Sequence, residues 1–334
     1  MGNARNLADN LPLTESSGNR NLIINGAMEV AQRGTSQSGA GYGSIDRMSF
    51  SLSGGTGTMS QQYMTTSDKS TTRFAHYLRM NLTSGNNNAG LYYKIEAKDI
   101  ERLQGKKVTL SFWAKGTNPG GGNFTFGHYW YDSLGGDIDN GVSQNFSVTS
   151  TWTQYSLTTD LATASNVIVG NNPDARYDIS IIQPDADTST NAWQLDITGL
   201  MLEEGEKATP YEHESFGNTL TKCERYFQTY SKRNWTAINE HAANYFMYCD
   251  GPFRHKMRAA PTATFVGTVI IGRPQVGVTQ RPNVIQGLST EGFQGFKWPT
   301  SGTYGGQLGT YGDAYYYMSV SDGPTNRIDF DAEL

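Results

Sequence analysis

The sequence predicts an all-β protein: a jelly-roll β-sandwich, a short connecting helix and a smaller C-terminal β domain. Short runs in which apolar and polar side chains alternate recur along the chain, as they do in strands with one buried face. Loops rich in Gly, Ser, Thr and Asn separate these runs, and the chain contains 38 glycines. Charged residues make up only 17% of the 334 residues, which suits a β protein with many turns. Many short strands joined in this way favour a jelly roll.

The predicted jelly-roll domain covers residues 21–213. Leu22 and Ile24 alternate before the turn signal Asn25-Gly26. The clearest strand covers 107–115, where the side chains of Phe112 and Trp113 point to opposite faces. Further strands are predicted at 47–52, 59–64, 74–82, 91–95, 123–131 and 193–198, and a helical turn at 98–103. Phe112, Trp130, Trp152 and Trp193 are predicted to be structural core aromatics.

Residues 214–231 are predicted to form the linking helix. Its apolar side chains lie three and four residues apart and form one stripe: Leu220, Cys223, Phe227 and Tyr230. Ser215 or Asn218 can cap the helix. We therefore expect Leu220, Cys223 and Phe227 to be buried between the two β domains.

The remaining residues, 232–334, are predicted to form the C-terminal β domain. The run 262–271 is rich in Val and Ile, which indicates burial on both faces or at a subunit interface. The tyrosines at 315–317 place rings on both faces of a strand. Cys223 and Cys249 are interpreted as small buried hydrophobic residues, and no disulfide is indicated.

Charge and hydropathy argue against several classes of partner. The net charge is −5 and no basic block is present, so the sequence does not predict nucleic-acid binding. No apolar stretch has the length of a membrane span, and the first residues carry no secretory signal. We therefore expect no membrane insertion.

Signatures of catalysis are absent from the sequence: there is no GxSxG, HExxH or P-loop motif. The histidines lack the spacing of a zinc pair on one element, and we interpret His76, His128, His213, His241 and His255 as structural. Adjacent carboxylates occur at Asp137/Asp139, Asp185/Asp187 and Glu203/Glu204. Such pairs can cleave glycosidic bonds, but these lie in predicted loops and turns, where solvated acids are the alternative. We predict no catalytic residue and no enzyme.

Aromatic side chains are the positive signal for function. If the neighbours Phe112, Tyr93 and Trp130 line the core, the alternating rings face outward; these are Trp113, Tyr92, Tyr129 and Tyr131. A sugar can stack its apolar face on such rings while nearby polar groups bind its hydroxyls. The alternative is that the rings pack against the second domain or a neighbouring subunit.

Several segments, taken in order, resemble bacteriophage tail-fibre and virion-spike proteins that have a carbohydrate-binding-module-like jelly roll. The segments are NLIINGAMEVAQRG (21–34), SIDRM (44–48), SFWAK (111–115), LEEG (202–205), ATPYEHES (208–215), CERYFQ (223–228), MRAAPT (257–262) and IDFDAEL (328–334). The resemblance implies a homotrimer in the virion, with residues 1–20 as an attachment peptide for other virion proteins. A disordered leader is the alternative for residues 1–20.

The resemblance also implies a possible cation site and a function. Glu29 and Asp196 match two acids that hold calcium in some carbohydrate-binding jelly rolls, although calcium needs further oxygen ligands and the alternative is a pair of surface acids. We expect a virion structural protein that binds host surface glycan during adsorption without catalysis and needs no cofactor. The alternatives are a polysaccharide depolymerase and a purely structural head-decoration or tail-connector protein.

Overall fold

A computed structural model describes most of the sandwich and parts of the C-terminal region. The described residues are 20–52, 55–84, 89–117, 123–131, 137–138, 144–161, 174–182, 192–231, 234–241, 246–267, 269–272, 279–280, 284–297, 315–320 and 326–334. The predicted attachment peptide 1–20 therefore lies outside them, apart from Arg20. None of the described helices combines the length and the hydropathy needed to cross a membrane.

Strands form the sandwich, in the order predicted by the alternating pattern. They are β1 (Ser36–Gln37), β2 (Ser49–Ser51), β3 (Thr56–Tyr63), β4 (His76–Ser84), β5 (Gly90–Glu96), β6 (Lys107–Thr117), β7 (Phe124–Tyr131), β8 (Asp137–Ile138), β9 (Gln144–Phe146), β10 (Thr153–Asp160), β11 (Arg176–Ile182) and β12 (Trp193–Glu204). Helices α1 (Thr66–Thr72) and α2 (Ala97–Ile100) lie between strands, and a 3₁₀ turn (Glu101–Leu103) follows α2. The turn at 98–103 was predicted; α1, capped by the Thr65 side chain, was not.

Two antiparallel sheets pack face to face. The first sheet has the order β1-β3-β4-β12-β6-β10, and the second has the order β2-β5-β11-β7-β8, with β9 also paired to β7. The chain crosses between the sheets at every connection except β3 to β4, β7 to β8 and β8 to β9. This repeated crossing is the jelly-roll arrangement that the sequence predicted.

The core lies between the two sheets and is rich in aromatic side chains. Phe112, Trp130 and Trp193 are almost fully buried in it, as predicted. Phe124 packs edge-on against Trp193, with 5.2 Å between ring centroids. His128 is also buried in this region and contacts the Tyr177 hydroxyl, so it has the structural role expected for the histidines.

The linking helix is shorter than predicted. Helix α3 (Phe216–Glu224) ends before Phe227, and β13 (Phe227–Tyr230) follows it as a strand. Ser215 caps α3 by accepting a hydrogen bond from the Asn218 backbone N–H at 3.3 Å. Cys223 and Phe227 are buried as predicted, whereas Leu220 is half-buried. The stripe at three- and four-residue spacing therefore belongs to a helix followed by a strand, because Phe227 to Tyr230 pair with a C-terminal strand instead.

Two further antiparallel sheets follow α3. Their strands are β14 (Asn234–His241), β15 (Phe246–Pro252), β16 (Thr262–Val266), β17 (Val269–Gly272), β18 (Thr279–Gln280), β19 (Val284–Gln286), β20 (Gly292–Lys297), β21 (Tyr315–Val320) and β22 (Arg327–Asp331). One sheet has the order β13-β22-β16, and the other has the order β18-β17-β21-β14-β15-β20-β19.

The apolar run 262–271 is divided between two strands, and its place at a subunit interface stays a prediction. Gly267, at φ 71°, separates β16 from β17, and the two strands join different sheets. The side chains of β16 are exposed or half-buried, so this half of the run is not buried on both faces within the chain. The side chains of the second half, of residues 315–317 and of Cys249 lie outside the described part.

Candidate functional site

The structure places the four predicted outward rings on two opposite faces of the sandwich. All four are half-buried and alternate with core residues. Trp113 lies on β6 of the first sheet, whereas Tyr92 lies on β5 and Tyr129 and Tyr131 lie on β7 of the second sheet. The two outer faces point away from each other across the core. The prediction that all four rings form one binding surface is therefore wrong for Trp113, which cannot contact a ligand bound at the three tyrosines.

The outer surface of β5, β11 and β7 is called here the tyrosine face. It carries Tyr92, Tyr129 and Tyr131 together with Lys94, Thr125, Gly127, Arg176, Asp178 and Ser180. Strand register sets its rows, because each residue of β11 lies between one residue of β5 and one of β7. Asp178 lies between Lys94 and Tyr129, and Arg176 lies between Glu96 and Tyr131.

The tyrosine rings are spaced across the face rather than clustered. Tyr129 and Tyr131 are two residues apart on β7, which corresponds to about 7 Å along the strand. Tyr92 lies two strands away, which adds about 10 Å across the sheet. A ligand that contacts all three rings must therefore be longer than one sugar unit.

An ion pair holds the centre of the tyrosine face. The Nε of Arg176 donates to both carboxylate oxygens of Asp178, at 2.9 and 3.2 Å. The guanidinium carbon also lies 3.8 Å from the centroid of the Tyr131 ring. Asp178 is 1% exposed, and its burial raises the pKa of its carboxyl, while Arg176, Lys94 and the Tyr129 hydroxyl oppose the rise. Burial also lowers the pKa of Lys94, and the nearby Arg176 adds to this effect.

Gly127 leaves a shallow depression on the tyrosine face, because it has no side chain. Gly127 lies opposite Ser180, and a Cβ at this position would come within 2.8 Å of the Ser180 Oγ. The surface is therefore low between Tyr129 and Thr125, where the buried Ser180 hydroxyl donates to the Gly127 carbonyl at 3.3 Å. A glycine inside a strand is commonly found where another group approaches the backbone closely.

The sequence analysis missed Arg176, Asp178 and Gly127. A signal for the first two was present, because they alternate with Tyr177 and Ile179, which mark a core strand. Polar residues in these positions lie on the outer face of a central strand. Their proximity to Tyr129 and Tyr131 depends on the pairing of β11 with β7, which alternation does not specify.

The opposite face, around Trp113, is largely occupied by its own side chains. Tyr77 and Trp152 pack edge-on with 5.4 Å between centroids, and Lys115 binds Asp68 of α1 at 3.1 Å. Trp152 is buried as predicted, but in this layer rather than in the main core. Half-buried Trp113 lies at the side of this packed layer.

Asp196 also lies on this face and is unavailable as a cation ligand. It is 0% exposed, and both of its oxygens accept hydrogen bonds from Arg79, at 2.8 Å each. Glu29 instead lines a cleft beside α3, so the weak calcium candidates Glu29 and Asp196 have different surroundings. Among the described residues, no group of three or more His, Cys, Asp or Glu could hold a metal ion.

Several carboxylates line the cleft beside α3, and the sequence analysis did not predict that they lie close together. The lining of the cleft includes Glu29, Glu212, Glu214 and Lys222. Glu212 accepts a hydrogen bond from the Asn21 backbone N–H at 2.9 Å, and Glu214 binds Lys222. Glu212 therefore connects the segment after β12 to the start of the sandwich, whereas Glu214 pairs with a lysine of α3.

The predicted carboxylate pairs have mainly structural surroundings where they are described. Glu203, the second-last residue of β12, accepts hydrogen bonds from the backbone and side chain of Thr209, at 2.8 and 2.7 Å. Glu204 points outward and pairs with Lys106 and Arg102. Both residues lie in a strand, which corrects the predicted turn. Asp139, Asp185, Asp187 and the side chain of Asp137 lie outside the described residues.

Comparison with known proteins finds similar solved structures at low identity. No family model and no curated protein matches the chain. It is similar to the enzymatically active domain of bacteriophage CBA120 tailspike protein 4, with a TM-score of 0.36, 14% identity, and coverage of 56% of this chain and 22% of that domain. It is also similar to a putative sugar-binding protein from Bacteroides thetaiotaomicron (TM-score 0.34, 13% identity, 55% and 100% coverage). A third similar structure is a family 11 carbohydrate-binding module of a Clostridium thermocellum cellulase, with a TM-score of 0.32, 10% identity, and coverage of 52% of this chain and 98% of that module.

Proposed function

We propose that the chain is a bacteriophage virion protein, a tail-fibre or spike subunit, that binds a bacterial surface polysaccharide through the tyrosine face without cleaving it. The observation that carries the proposal is the grouping of Tyr92, Tyr129 and Tyr131 on one open sheet face beside polar groups. A sugar offers an apolar ring face and hydroxyl edges, and this surface offers flat rings and hydrogen-bonding side chains. The virion role is supported by the sequence motifs similar to those of phage fibre proteins.

The proposal includes an assembly and a location. The chain acts as a homotrimer, attaches to other virion proteins through residues 1–20, and reaches the virion after assembly in the bacterial cytoplasm. Several copies raise the effective affinity of a weak glycan site by avidity. Light scattering of the purified protein checks the trimer, and a stable monomer at micromolar concentration would contradict it.

The absence of catalysis is supported by the surroundings of the described acids. Glu203 is bound by Thr209, Glu204 by two cations, and Asp196 by Arg79. A pair of acids that cleaves a glycosidic bond must have both carboxyl groups beside that bond, whereas these three acids are held by partners within the fold. Each of these residues therefore fits a structural role.

The direct test removes rings from the tyrosine face. Replacing Tyr129 and Tyr131 with Ala should weaken binding of the purified protein to host polysaccharide by about thirtyfold, if each ring contributes about 1 kcal/mol. Calorimetry with the purified polysaccharide and adsorption to host cells measure the loss. Tyr63→Ala is the matched control, because Tyr63 is 78% exposed but ends β3 in the other sheet.

Other outcomes separate the alternatives. Loss of binding in Trp113→Ala, with the tyrosine variant unchanged, would move the site to the opposite face. Release of shorter sugar chains by the wild-type protein would identify a depolymerase. Absence of any glycan binding by the intact trimer would leave a purely structural virion protein.

A further inference from the structure

Arg176 has hydrogen-bonding groups that no described residue uses. Its Nε donates to Asp178, and its guanidinium carbon lies 3.8 Å from the centroid of the Tyr131 ring. These two contacts restrict the side chain. Neither terminal amino group donates a hydrogen bond to any residue that the structure describes. The side chain is 15% exposed, so the guanidinium is held rigidly but can still be reached from the outer face.

A rigid guanidinium whose two terminal amino groups have no described hydrogen-bond acceptor is suited to binding a carboxylate. The two groups lie in one plane and point in parallel, which matches the two oxygens of a carboxylate. Because Asp178 and Tyr131 already restrict the side chain, little conformational freedom is lost when a ligand binds. A sugar hydroxyl fits the same position less well, since it offers one oxygen and no charge.

The carboxylates beside Arg176 have cationic partners within the fold. Arg176 and Lys94 are the cations of the tyrosine face, and Asp178 is the carboxylate between them among its described side chains. Glu96 lies opposite Arg176 in the strand register, but Arg225 and Lys98 bind it, and the Tyr226 hydroxyl donates to it at 2.7 Å. Lys94 donates to the backbone oxygen of Leu334 at 2.6 Å. Both carboxylates beside Arg176, Asp178 and Glu96, are therefore already paired with cations of the fold, so neither is an unpaired negative charge next to an incoming carboxylate.

We propose that the tyrosine face recognises an acidic polysaccharide, with a sugar carboxylate bound by the two terminal amino groups of Arg176 and neighbouring sugar rings stacked on the tyrosines. This inference rests on the function proposed above and names the substrate class of the same site. Arg176 is then the residue that distinguishes acidic from neutral glycans, while the tyrosines contact both.

The experiment compares each polymer with its own carboxyl-reduced form. Wild-type protein and Arg176→Lys are titrated with oligosaccharides of polygalacturonate, alginate, hyaluronan and polysialic acid, native and reduced, and both proteins are tested for adsorption to host cells. Lysine keeps the positive charge beside Asp178 but loses the paired amino groups. The Arg176→Gln, Asp178→Asn double variant removes both charges of the ion pair together. It replaces Arg176→Lys in the same titrations if the single variant folds poorly.

We expect two equivalent losses. Carboxyl reduction and Arg176→Lys should each weaken binding of the recognised polymer by about tenfold or more, the effect of charge-assisted hydrogen bonds. The variant should not weaken binding to the reduced polymer further, because the contact is already absent. A merely structural role for Arg176 would instead weaken binding to both forms equally.

Contrary results separate this inference from the proposed function. Equal binding of native and reduced forms, or host-cell adsorption unaffected by Arg176→Lys, would overturn the acidic class and leave glycan binding standing. Failure of the wild-type protein to bind any of the polymers or the host cells would overturn the proposed function itself.

Discussion

Asp46 is a single carboxylate whose burial makes the stability of the fold depend on pH. It is 1% exposed and accepts hydrogen bonds from the backbone and side chain of Gln32, at 2.9 and 2.6 Å. Burial raises the pKa of Asp46 to about 6, although Arg33 and the bonds from Gln32 oppose the rise. The folded protein therefore holds a proton at this site that the unfolded chain releases near pH 3.8.

The Asp46→Asn variant should reveal this dependence. A pKa raised by folding contributes stability that is complete below about pH 3.8 and is lost as the pH rises through about 6. The free energy of unfolding of the wild type should therefore fall relative to Asp46→Asn between pH 4 and 7, by up to about 3 kcal/mol. Denaturant titration of both proteins at each pH measures the difference, and other titrating groups cancel in it. A constant difference would show that Asp46 is not desolvated.

The segment after β12 shows how one predicted element becomes two. Helix α3 ends at Glu224, and Arg225 and Tyr226 lead into β13, which pairs with β22. The backbone N–H of Ala332 donates to the Tyr226 carbonyl at 2.8 Å. Phe227 is buried beside this turn, with the Arg33 guanidinium 3.7 Å from its ring centroid. Packing of this short strand thus depends on side chains from both ends of the chain.

Two phenylalanines of this segment make a matched pair of variants. Phe227→Ala should reduce the free energy of unfolding by about 3–5 kcal/mol, because it removes a buried ring and leaves a cavity. Phe216→Ala should change it by less than about 0.5 kcal/mol, since Phe216 is 55% exposed at the start of α3. Thermal or urea unfolding measures both. Similar small losses would show that Phe227 is exposed in solution.

Across the whole molecule, several of the short motifs recognised in the sequence meet in one buried junction. Arg33 comes from the motif at 21–34 and Arg47 from the motif at 44–48. Tyr226 belongs to the motif at 223–228, and Glu333 to the motif at 328–334. Glu333 binds both arginines, and the Arg47 guanidinium lies 3.5 Å from the Tyr226 ring centroid. These motifs therefore specify how the C-terminal end packs against the sandwich. The junction adjoins the tyrosine face at Lys94, whose side chain donates to Leu334 and whose carbonyl accepts a hydrogen bond from Arg47.

Glu333→Gln tests the energetic importance of this junction. Arg47 is almost fully buried, so loss of its partner charge should cost about 3–5 kcal/mol in the free energy of unfolding. Glu204→Gln is the control: it removes an exposed carboxylate with two cationic partners and should cost at most about 1 kcal/mol. Calorimetry of both variants is the measurement. Equal losses would mean that the junction contributes no more than a surface ion pair.

The sequence by itself determined most strands of the sandwich and the side of each such strand on which a ring lies. Phe112 is buried while Trp113 and Tyr129 face outward, because alternation along a strand is a local property with a period of two. Ser215 as the cap of α3 was likewise predictable from its own short segment. Binding of glycan by the outward rings stays a prediction.

Only the tertiary structure decided which outward residues share a face. Trp113 and Tyr129 have the same local pattern, yet β6 and β7 belong to different sheets. Arg176 lies beside Tyr131 because β11 pairs with β7, and Phe227 lies in a strand because β22 pairs with it. Pairing between strands depends on contacts between residues far apart in the chain, and local periodicity carries no information about which partner is chosen.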